Sequence, residues 1–583
     1  MGMILGVVIY LHRRGVGPAV RRLVGGDRTS DRLESAGGCW TLPDWKPNIF
    51  YRPEYMEDHV SGPGPGTGIE TGNGVQHASR GETTMDDNDD DSAAMNFRIA
   101  ALGGFGFSSR MIARALTFGA QVLLTKSLGS AGYGLYQVGK SVVNLCGVFA
   151  RLGLNKGVVR YGSMARSESD PQRLSGMLTT ALVVAGGLGT ATALIIYVAA
   201  ERLATRVFGL PTLTPVFRLF AVALPFAVLL RIGGAALQAF ERVDYQEATK
   251  SLAKPVLNLL GIAVVLFLGY MLAGVIVAFV LSTVASTVLA IIALWRVLRI
   301  NDVTVRPSFT HGRELVTFSL PLAIVGASYF LSIRTDRVML GILGDPSGVG
   351  LYSAAALLAT QFGLLHTSLV AIFEPIISDA LTQGDHREVD RLYRMVKRWS
   401  ASGTFLFVVP VVLFPELLLS IFGDEFVRSW HVILVLAVPY LFGSVVGPTG
   451  ALLQMSGNQN LELGNAVAMI GMNVAFNYVF ILEFGLIGAA FGTGLAHVLF
   501  NTLQIVELKI LFNLRFFDRT HLLLVTVIVL LFATSLAASL YLTLLPKAAT
   551  LLLVGLVYLT FLYLTRQNED QELVGELLHR LGR

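Results

Sequence analysis

Fourteen apolar runs, each close to 20 residues long, follow one another between Ile99 and Arg566. A run of this length crosses a hydrocarbon core of about 30 Å as an α-helix. The sequence therefore predicts an all-α polytopic membrane protein with about 14 transmembrane helices. The approximate cores of the runs are 101–125, 135–153, 176–199, 213–238, 253–271, 273–296, 315–342, 350–375, 401–421, 431–454, 463–482, 486–508, 521–545 and 548–565.

The composition supports this fold class and argues against several others. Of the 583 residues, 53% are hydrophobic and only 15% are charged, whereas a soluble domain has roughly 25% charged residues. The net charge of +5 comes from basic residues in short connecting loops, a pattern that indicates membrane topology and not nucleic-acid binding. Cys39 and Cys146 are the only cysteines, so neither a disulfide framework nor a zinc site is supported. We expect no metal and no cofactor.

The distribution of basic residues predicts the orientation of the chain. The loops after runs 2, 4, 6, 8 and 12 hold nineteen Lys or Arg, whereas the loops after the odd-numbered runs hold five. Because cytoplasmic loops are enriched in Lys and Arg, both termini should lie in the cytoplasm. We expect a multi-pass protein of the cell membrane, in contact with membrane lipids.

The first 95 residues differ in kind from the rest. The stretch SGPGPGTGIETGNG, residues 61–74, has low complexity, and an acidic run follows from Asp86 to Asp91. We expect little structure in residues 1–95, because such sequences cannot bury enough apolar surface to fold. Translation that starts at Met85 or Met95 is an alternative explanation of this segment.

Two short motifs recur at an offset of 216 residues. Gly132, Gly134, Leu135 and Tyr136 return as Gly348, Gly350, Leu351 and Tyr352; Gly234, Ala235, Leu237 and Gln238 return as Gly450, Ala451, Leu453 and Gln454. Six helices per repeat is an even number, so the halves should insert in the same orientation and enclose a substrate cavity between them. We predict six-helix bundles at 96–300 and 301–513, two additional helices at 514–566 and a cytoplasmic tail at 567–583.

Three charged residues, Arg334, Asp336 and Arg337, interrupt the seventh apolar run. A charge at bilayer depth is disfavoured by about 2.5 to 3.5 kcal/mol even on the mildest insertion scale, so such residues usually face a wet cavity or a partner. Asp336 could neutralise one arginine and leave the other for a ligand. Further charges lie within or at the ends of runs at Arg110, Arg114, Lys140, Arg218, Arg231, Lys254, Glu374 and Glu416.

The balance of these charges is cationic, which indicates a cavity that binds phosphate or pyrophosphate, with arginine doing so through its bidentate fork. The competing explanation is that side chains near helix ends reach to the membrane interface; we favour it for Arg218, Lys254 and Glu416. For the amide-rich runs 11 and 12 we favour helix-to-helix hydrogen bonds. The candidate substrate-binding residues are Arg110, Arg114, Lys140, Arg334, Asp336 and Arg337.

The segment GLYQVGKS, residues 134–141, formally matches the phosphate-binding loop of NTPases. That motif requires a strand before the loop and a helix after it. Here a membrane helix precedes the segment, and the repeat copy at 350–357 lacks the Gly-Lys pair. We expect no nucleotide site.

The six-plus-six repeat resembles a known transporter family. Its motifs are LTKSLGSAGYGLY (124–136), RTDRVMLGILGDPSGVGLY (334–352) and the hairpin at 473–488. Together they resemble the polysaccharide-export and oligosaccharide-flippase family of the multidrug/oligosaccharidyl-lipid/polysaccharide superfamily. The resemblance implies translocation of polyprenyl-phosphate- or polyprenyl-diphosphate-linked sugars, on carriers of the dolichol or undecaprenyl type, to the outer leaflet. It also implies a cationic cavity at Arg110, Arg114, Lys140, Arg334 and Arg337, and glycosyltransferases of the same pathway as partners.

Two other functions remain as alternatives. A drug or small-cation exporter of the same superfamily should have dominant membrane carboxylates, but Asp336, Glu374 and Glu416 are outnumbered by cations. A membrane glycosyltransferase or polymerase should have a large extracytoplasmic loop or an acidic pair near the surface, and the odd-numbered loops are short. We therefore expect a transporter and not an enzyme.

Overall fold

The computed structural model describes residues 86–301, 312–512 and 518–565, and every regular element in these ranges is a helix. The first half contains α1 (Asp86–Ala150), α2 (Leu154–Ser167), α3 (Pro171–Arg202), α4 (Leu213–Ala239), α5 (Val243–Glu247), α6 (Lys254–Phe267) and α7 (Leu272–Ile300). The second half contains α8 (Gly312–Leu343), α9 (Pro346–Ala359), α10 (Leu364–Thr382), α11 (His386–Leu413), α12 (Pro415–Ser420), α13 (Trp430–Val446), α14 (Thr449–Met455) and α15 (Gln459–Phe512). Two further helices are α16 (Arg519–Tyr541) and α17 (Leu544–Leu564).

Several helices begin at an aspartate that satisfies their free backbone N–H groups. Asp170 accepts hydrogen bonds from the N–H groups of residues 172 and 173 at the start of α3, and Asp345 accepts one from residue 348 at the start of α9. The residue after each of these aspartates is proline, whose fixed φ suits the first helical position. Asp385 and Asp518 cap α11 and α16 in the same way.

Positive backbone φ angles break the two longest helices. α15 has 54 residues, which would measure about 80 Å as one straight helix, more than twice the hydrocarbon thickness. Gly485 (φ 56°) divides it into two limbs. The limbs approach so closely that a Cβ on Gly488 would lie 1.8 Å from the carbonyl oxygen of Phe480. The predicted hairpin at this position is therefore confirmed; Gly129 (φ 66°) likewise divides α1 into limbs 86–128 and 130–150.

Ten helices in the described ranges are long and apolar enough to cross a membrane, or up to eleven if the bent pair 108–150 and 154–167 counts as one span. Residues 460–512 count once among the ten although Gly485 divides them, and the charged helix α8 is not among them. The chain is therefore a multi-pass membrane protein. The count of fourteen crossings and the bundle boundaries stay predictions.

The predicted N-terminal extension and C-terminal tail lie largely outside the described residues, which exclude 1–85 and 566–583. Helix α1 (Asp86–Ala150) includes residues 86–95, for which the sequence predicted little structure.

The repeated glycine motif forms a reciprocal contact between the halves. A Cβ on Gly134 would lie 1.7 Å from the carbonyl oxygen of Pro346, and a Cβ on Gly350 would lie 1.9 Å from that of Ser130. Residues 130 and 346, like 134 and 350, are separated by the 216-residue offset. The contact is thus the same on both sides, as at a two-fold interface. Only glycine allows two backbones to approach this closely.

A hydrogen-bonded cluster adjoins this glycine contact. Glu425 accepts hydrogen bonds from the backbone N–H of Ser130 (2.8 Å) and from its hydroxyl (2.7 Å). The Ser130 hydroxyl also lies 2.6 Å from the hydroxyl of Ser347. Ser130 belongs to the first half and the other two residues to the second. We call Ser130, Ser347 and Glu425 the serine clasp.

Candidate anion-binding site

The three charged residues in the apolar part of α8, Arg334, Asp336 and Arg337, point in two directions. A helix turns about 100° per residue, so Arg334 and Arg337 lie about 60° apart on one face, and Asp336 lies about 130° from the middle of that face. Asp336 and Arg337 are only 5% and 6% exposed. The carboxylate of Asp336 accepts a hydrogen bond from the hydroxyl of Tyr352 (2.6 Å) and one from the backbone N–H of Arg337 (2.7 Å).

Neither arginine side chain forms an ion pair or a hydrogen bond with another residue of the described ranges. The buried Nε of Arg337 is among the atoms left without a partner. Asp336 therefore does not form the ion pair considered from the sequence, because its oxygens are occupied by Tyr352 and the backbone. A buried charge without a partner is costly, so this pair of guanidinium groups favours an anionic ligand.

Two lysines extend the cationic surface into the first half. The ammonium groups of Lys140 (limb 130–150 of α1) and Lys254 (α6) lie 5.6 Å and 5.2 Å from the centre of the same ring, that of Phe279. Lys140 also lies 5.3 Å from the ring of Tyr136. Cation–π contacts at these distances hold an ammonium group without neutralising its charge. Lys140 interacts electrostatically with Lys254 and with both arginines of α8.

The positive charge continues beyond Lys254. This lysine interacts electrostatically with Arg231 of α4, which in turn interacts with Arg151 and Lys250. Like charges that gather in this way repel one another unless an anion compensates them. We call the whole set the cationic wall; its members are Lys140, Arg151, Arg231, Lys250, Lys254, Arg334 and Arg337.

The structure distributes the six predicted residues among different surroundings. Lys140, Arg334 and Arg337 lie together in the cationic wall. Arg110 lies apart, because its guanidinium forms an ion pair with Glu247 (3.1 Å) and its side chain is 65% exposed. Arg114 lines a separate cavity between α1 and the second half. Asp336 faces Tyr352, away from the arginines.

Sequence reasoning missed four members of the cationic wall as binding candidates, namely Arg151, Arg231, Lys250 and Lys254. Lys254 was assigned to the membrane interface because it lies near a helix end, and Arg231 was noted without a role. The i, i+4 spacing of Lys250 and Lys254 places both on one helix face and could have indicated the wall. Their neighbours Arg231 and Phe279 come from α4 and α7, and no sequence pattern reveals that proximity.

A cavity of about 1310 Å³ lies between α1 and the second half. Its lining is mostly apolar, with a few polar groups. Glu462, the polar group at the start of α15, accepts a hydrogen bond from Gln504 (2.7 Å). Residues of the lining include Arg114 and Phe118 from α1, Leu364 from α10, Tyr440 from α13, and Glu462 and His497 from α15. A volume of this size accommodates a polar headgroup of several rings.

The amides of α15 bond within the helical hairpin, as the sequence predicted. Asn477 donates to the carbonyl oxygen of Asn473 (2.8 Å) and to the hydroxyl of Thr493 (3.2 Å) on the other limb. The segment 134–141 is continuous helix, and a Cβ on Gly139 would lie 2.5 Å from Val216. It therefore lacks the open loop with which NTPases surround a phosphate.

Residues 104–380 match the model of the family described as "Polysaccharide biosynthesis protein". The chain is 23% identical over 244 residues to the probable low-salt glycan biosynthesis flippase Agl15 of Haloferax volcanii, a match that covers 41% of the chain and only half of that relative. It is 21% identical over 376 residues to a putative O-antigen transporter of Shigella flexneri, covering 63% of the chain and 87% of the relative. It is 23% identical over 409 residues to stage V sporulation protein B of Bacillus subtilis, covering 65% of the chain and 77% of the relative.

Solved structures show the same fold. An inward-facing multidrug resistance transporter of the MATE family and MOP superfamily superimposes with a TM-score of 0.60 at 16% identity, covering 70% of this chain and 98% of that one. The lipid II flippase MurJ in an inward closed conformation gives a TM-score of 0.59 at 11% identity, covering 79% and 98%. Identities this low establish the fold and leave the function to the residues of the site.

Proposed function

We propose, from the match of residues 104–380 to the family described as "Polysaccharide biosynthesis protein", that the chain is a member of this family and a flippase for polyprenyl-linked saccharides. Its substrate is a sugar joined to a dolichol- or undecaprenyl-type lipid through a phosphate or diphosphate. The names of its relatives from Haloferax volcanii and Shigella flexneri, a glycan biosynthesis flippase and an O-antigen transporter, support this substrate class. No covalent bond is made or broken in the process.

The observation that carries the proposal is that the two guanidinium groups of the cationic wall, those of Arg334 and Arg337, form no ion pair with a carboxylate in the described ranges. Lys140 adds a third cation beside them. Phosphate and diphosphate groups offer the several acceptor oxygens that such cations bind, and guanidinium groups bind them in pairs. In our proposal the saccharide occupies the cavity between α1 and the second half, while the polyprenyl chain stays in the bilayer.

Transport follows by alternating access, in which one half moves against the other. The serine clasp and the contact between Gly134 and Pro346 join the halves at one end of the bundle. In our proposal these contacts separate whenever the cavity opens to that end. By the distribution of loop charges, this end faces the outside of the cell membrane and both termini lie in the cytoplasm. Glycosyltransferases of the same pathway supply the lipid-linked saccharide.

The double variant R334Q/R337Q tests the proposal. In cells that depend on this chain for surface glycan, we expect at least about a tenfold loss of glycan at the surface, because two charge-assisted contacts to phosphate are removed. Lipid-linked saccharide should accumulate inside. Arg218→Gln is the matched control, since Arg218 lies outside the cationic wall near Glu201 (3.9 Å). Wild-type amounts of surface glycan in a membrane-inserted R334Q/R337Q protein would refute the flippase proposal.

Export of an organic cation is the second candidate, and Glu462 is the observation that favours it. This carboxylate lines the cavity, and a carboxylate attracts a cationic solute. The candidate requires that E462Q abolish resistance to cationic drugs in cells that express the chain. Under the flippase proposal, E462Q leaves drug accumulation unchanged.

A further inference from the structure

Asp336 is a carboxylate within electrostatic range of an arginine with which it does not pair. It interacts electrostatically with Arg334 and is adjacent in sequence to Arg337. A buried carboxylate among cations normally forms a charge-assisted hydrogen bond with one of them. Here one carboxylate oxygen accepts from the Tyr352 hydroxyl and the other from a backbone N–H. The surroundings of Asp336 therefore offer it two competing sets of donors.

The groups that face Asp336 come from three helices. Tyr352 of α9 donates to it at 2.6 Å, and Tyr352 in turn lies beside Thr493 of α15. His497, one turn further along α15, interacts electrostatically with the carboxylate. The guanidinium groups belong to α8 itself. Rotation about the Asp336 side chain is what would exchange the Tyr352 hydroxyl for a guanidinium.

Within the described ranges, the first half of the repeat has no counterpart of the hydrogen bond between Tyr352 and Asp336. Subtracting 216 places Ala120 at the position of Asp336, Gln121 at that of Arg337 and Tyr136 at that of Tyr352. Tyr136 is fully buried, and its hydroxyl has no hydrogen-bond partner in the described part of the chain. The hydrogen bond between tyrosine and aspartate thus occurs in the half that also carries the two arginines.

We propose that Tyr352 is a positioning residue of the anion-binding site. It holds Asp336 away from Arg334 and Arg337, so that neither guanidinium group forms an ion pair with Asp336 and both can bind the phosphate. The inference rests on the proposed function and deepens it. Without the hydroxyl, the freed carboxylate oxygen turns to a guanidinium group and competes with the ligand. A hydrogen bond to a charged group is strong enough for this competition to weaken anion binding about tenfold or more.

The test uses the full chain in detergent and geranyl diphosphate as a soluble lipid diphosphate, with the dissociation constant measured by calorimetry. We expect Y352F to bind at least about tenfold more weakly than the wild type. Adding D336N should restore the affinity, since asparagine carries no charge to compete for the arginines. Y393F is the matched control: it removes another fully buried tyrosine hydroxyl, which donates to the backbone carbonyl oxygen of Val446 (2.7 Å) outside the cationic wall, and it should bind as the wild type does.

The rescue separates positioning from mere stability. A Y352F variant that binds like the wild type would overturn the inference, and so would a loss that D336N does not restore or that Y393F shares. Thermal unfolding of each variant shows whether the fold is kept. R334Q/R337Q is included as a reference. If R334Q/R337Q binds geranyl diphosphate normally, the proposed function fails. If R334Q/R337Q loses binding and Y352F does not, the proposed function stands and only the role of Tyr352 is refuted.

Discussion

In the first half of the molecule, Gly234 lies beside the neutral side chain of Gln246, whereas in the second half the equivalent Gly450 lies beside the carboxylate of Glu462. A Cβ on Gly234 would lie 3.6 Å from Cγ of Gln246, and one on Gly450 would lie 3.1 Å from Oε1 of Glu462. Gln246 and Glu462 are themselves separated by 216 residues. The backbone arrangement is thus common to both halves, and the charge placed on it differs.

The two halves also differ at the positions of the lysines in the cationic wall. Lys140 and Lys254 of the first half correspond at the offset of 216 to Ala356 and Ile470. The cations therefore belong to the first half and to α8, while Glu462 and its amide partners belong to the second. The comparison teaches that glycine contacts shared by the halves determine the fold, and that charges unique to each half determine what the space between them binds.

The largest effect is expected from joining the halves covalently. Ser130 and Ser347 have hydroxyl oxygens 2.6 Å apart, so S130C/S347C should form a disulfide on oxidation once Cys39 and Cys146 are replaced. If the halves move against each other, the oxidised protein should lose transport entirely and regain it on reduction. The measurement is appearance of surface glycan with and without reductant.

A disulfide within one half is the matched control for this experiment. The hydroxyl of Ser282 on α7 donates a hydrogen bond to the side-chain oxygen of Asn258 (3.4 Å) on the neighbouring helix α6 of the first half. S282C/N258C should cross-link without stopping transport, because the half moves as one body. Undiminished transport by fully cross-linked S130C/S347C would show that the serine clasp does not open, and alternating access at this end would be wrong.

A smaller effect, on stability, is expected from the shared glycines. Ala at position 134 or 350 places a methyl group within 1.7 Å or 1.9 Å of a carbonyl oxygen of the other half. We expect G134A and G350A each to cost about 1–3 kcal/mol or more, as other overpacked contacts do. Gly119→Ala is the control, since no atom lies within 4 Å of its added methyl group. A large difference between G134A and G350A in unfolding midpoint would contradict the reciprocal contact.

The smallest effect is expected from making the second half resemble the first at one position. E462Q places in α15 the residue type that the first half has at 246. The glutamine oxygen can still accept the hydrogen bond from Gln504, so we expect stability to change by less than about 1 kcal/mol. Affinity for geranyl diphosphate should rise slightly, because a negative charge leaves the cavity. Weaker binding of the diphosphate by E462Q would show that the carboxylate takes part in binding.

The sequence alone predicted the features that depend on local pattern. Apolar run length predicted the membrane helices, and the 216-residue offset identified the related glycines of the two halves. It did not predict that Gly134 and Gly350 each contact the backbone of the opposite half. The charged triplet in α8 led to Arg334 and Arg337. The pairing of Arg110 with Glu247 was missed, because 137 residues separate the partners and no periodicity relates them. The role of Lys254 was missed for a similar reason: its membership of the wall depends on Phe279, which α7 supplies.

The central claim is that a phosphate group binds at the cationic wall between the two halves. The most direct measurement is an experimental structure of the full chain with bound geranyl diphosphate. We predict that the diphosphate oxygens lie within hydrogen-bonding distance of Arg334 and Arg337, with Lys140 beside them. Diphosphate bound elsewhere, or guanidinium groups of α8 directed at the acyl chains of the bilayer, would contradict the account.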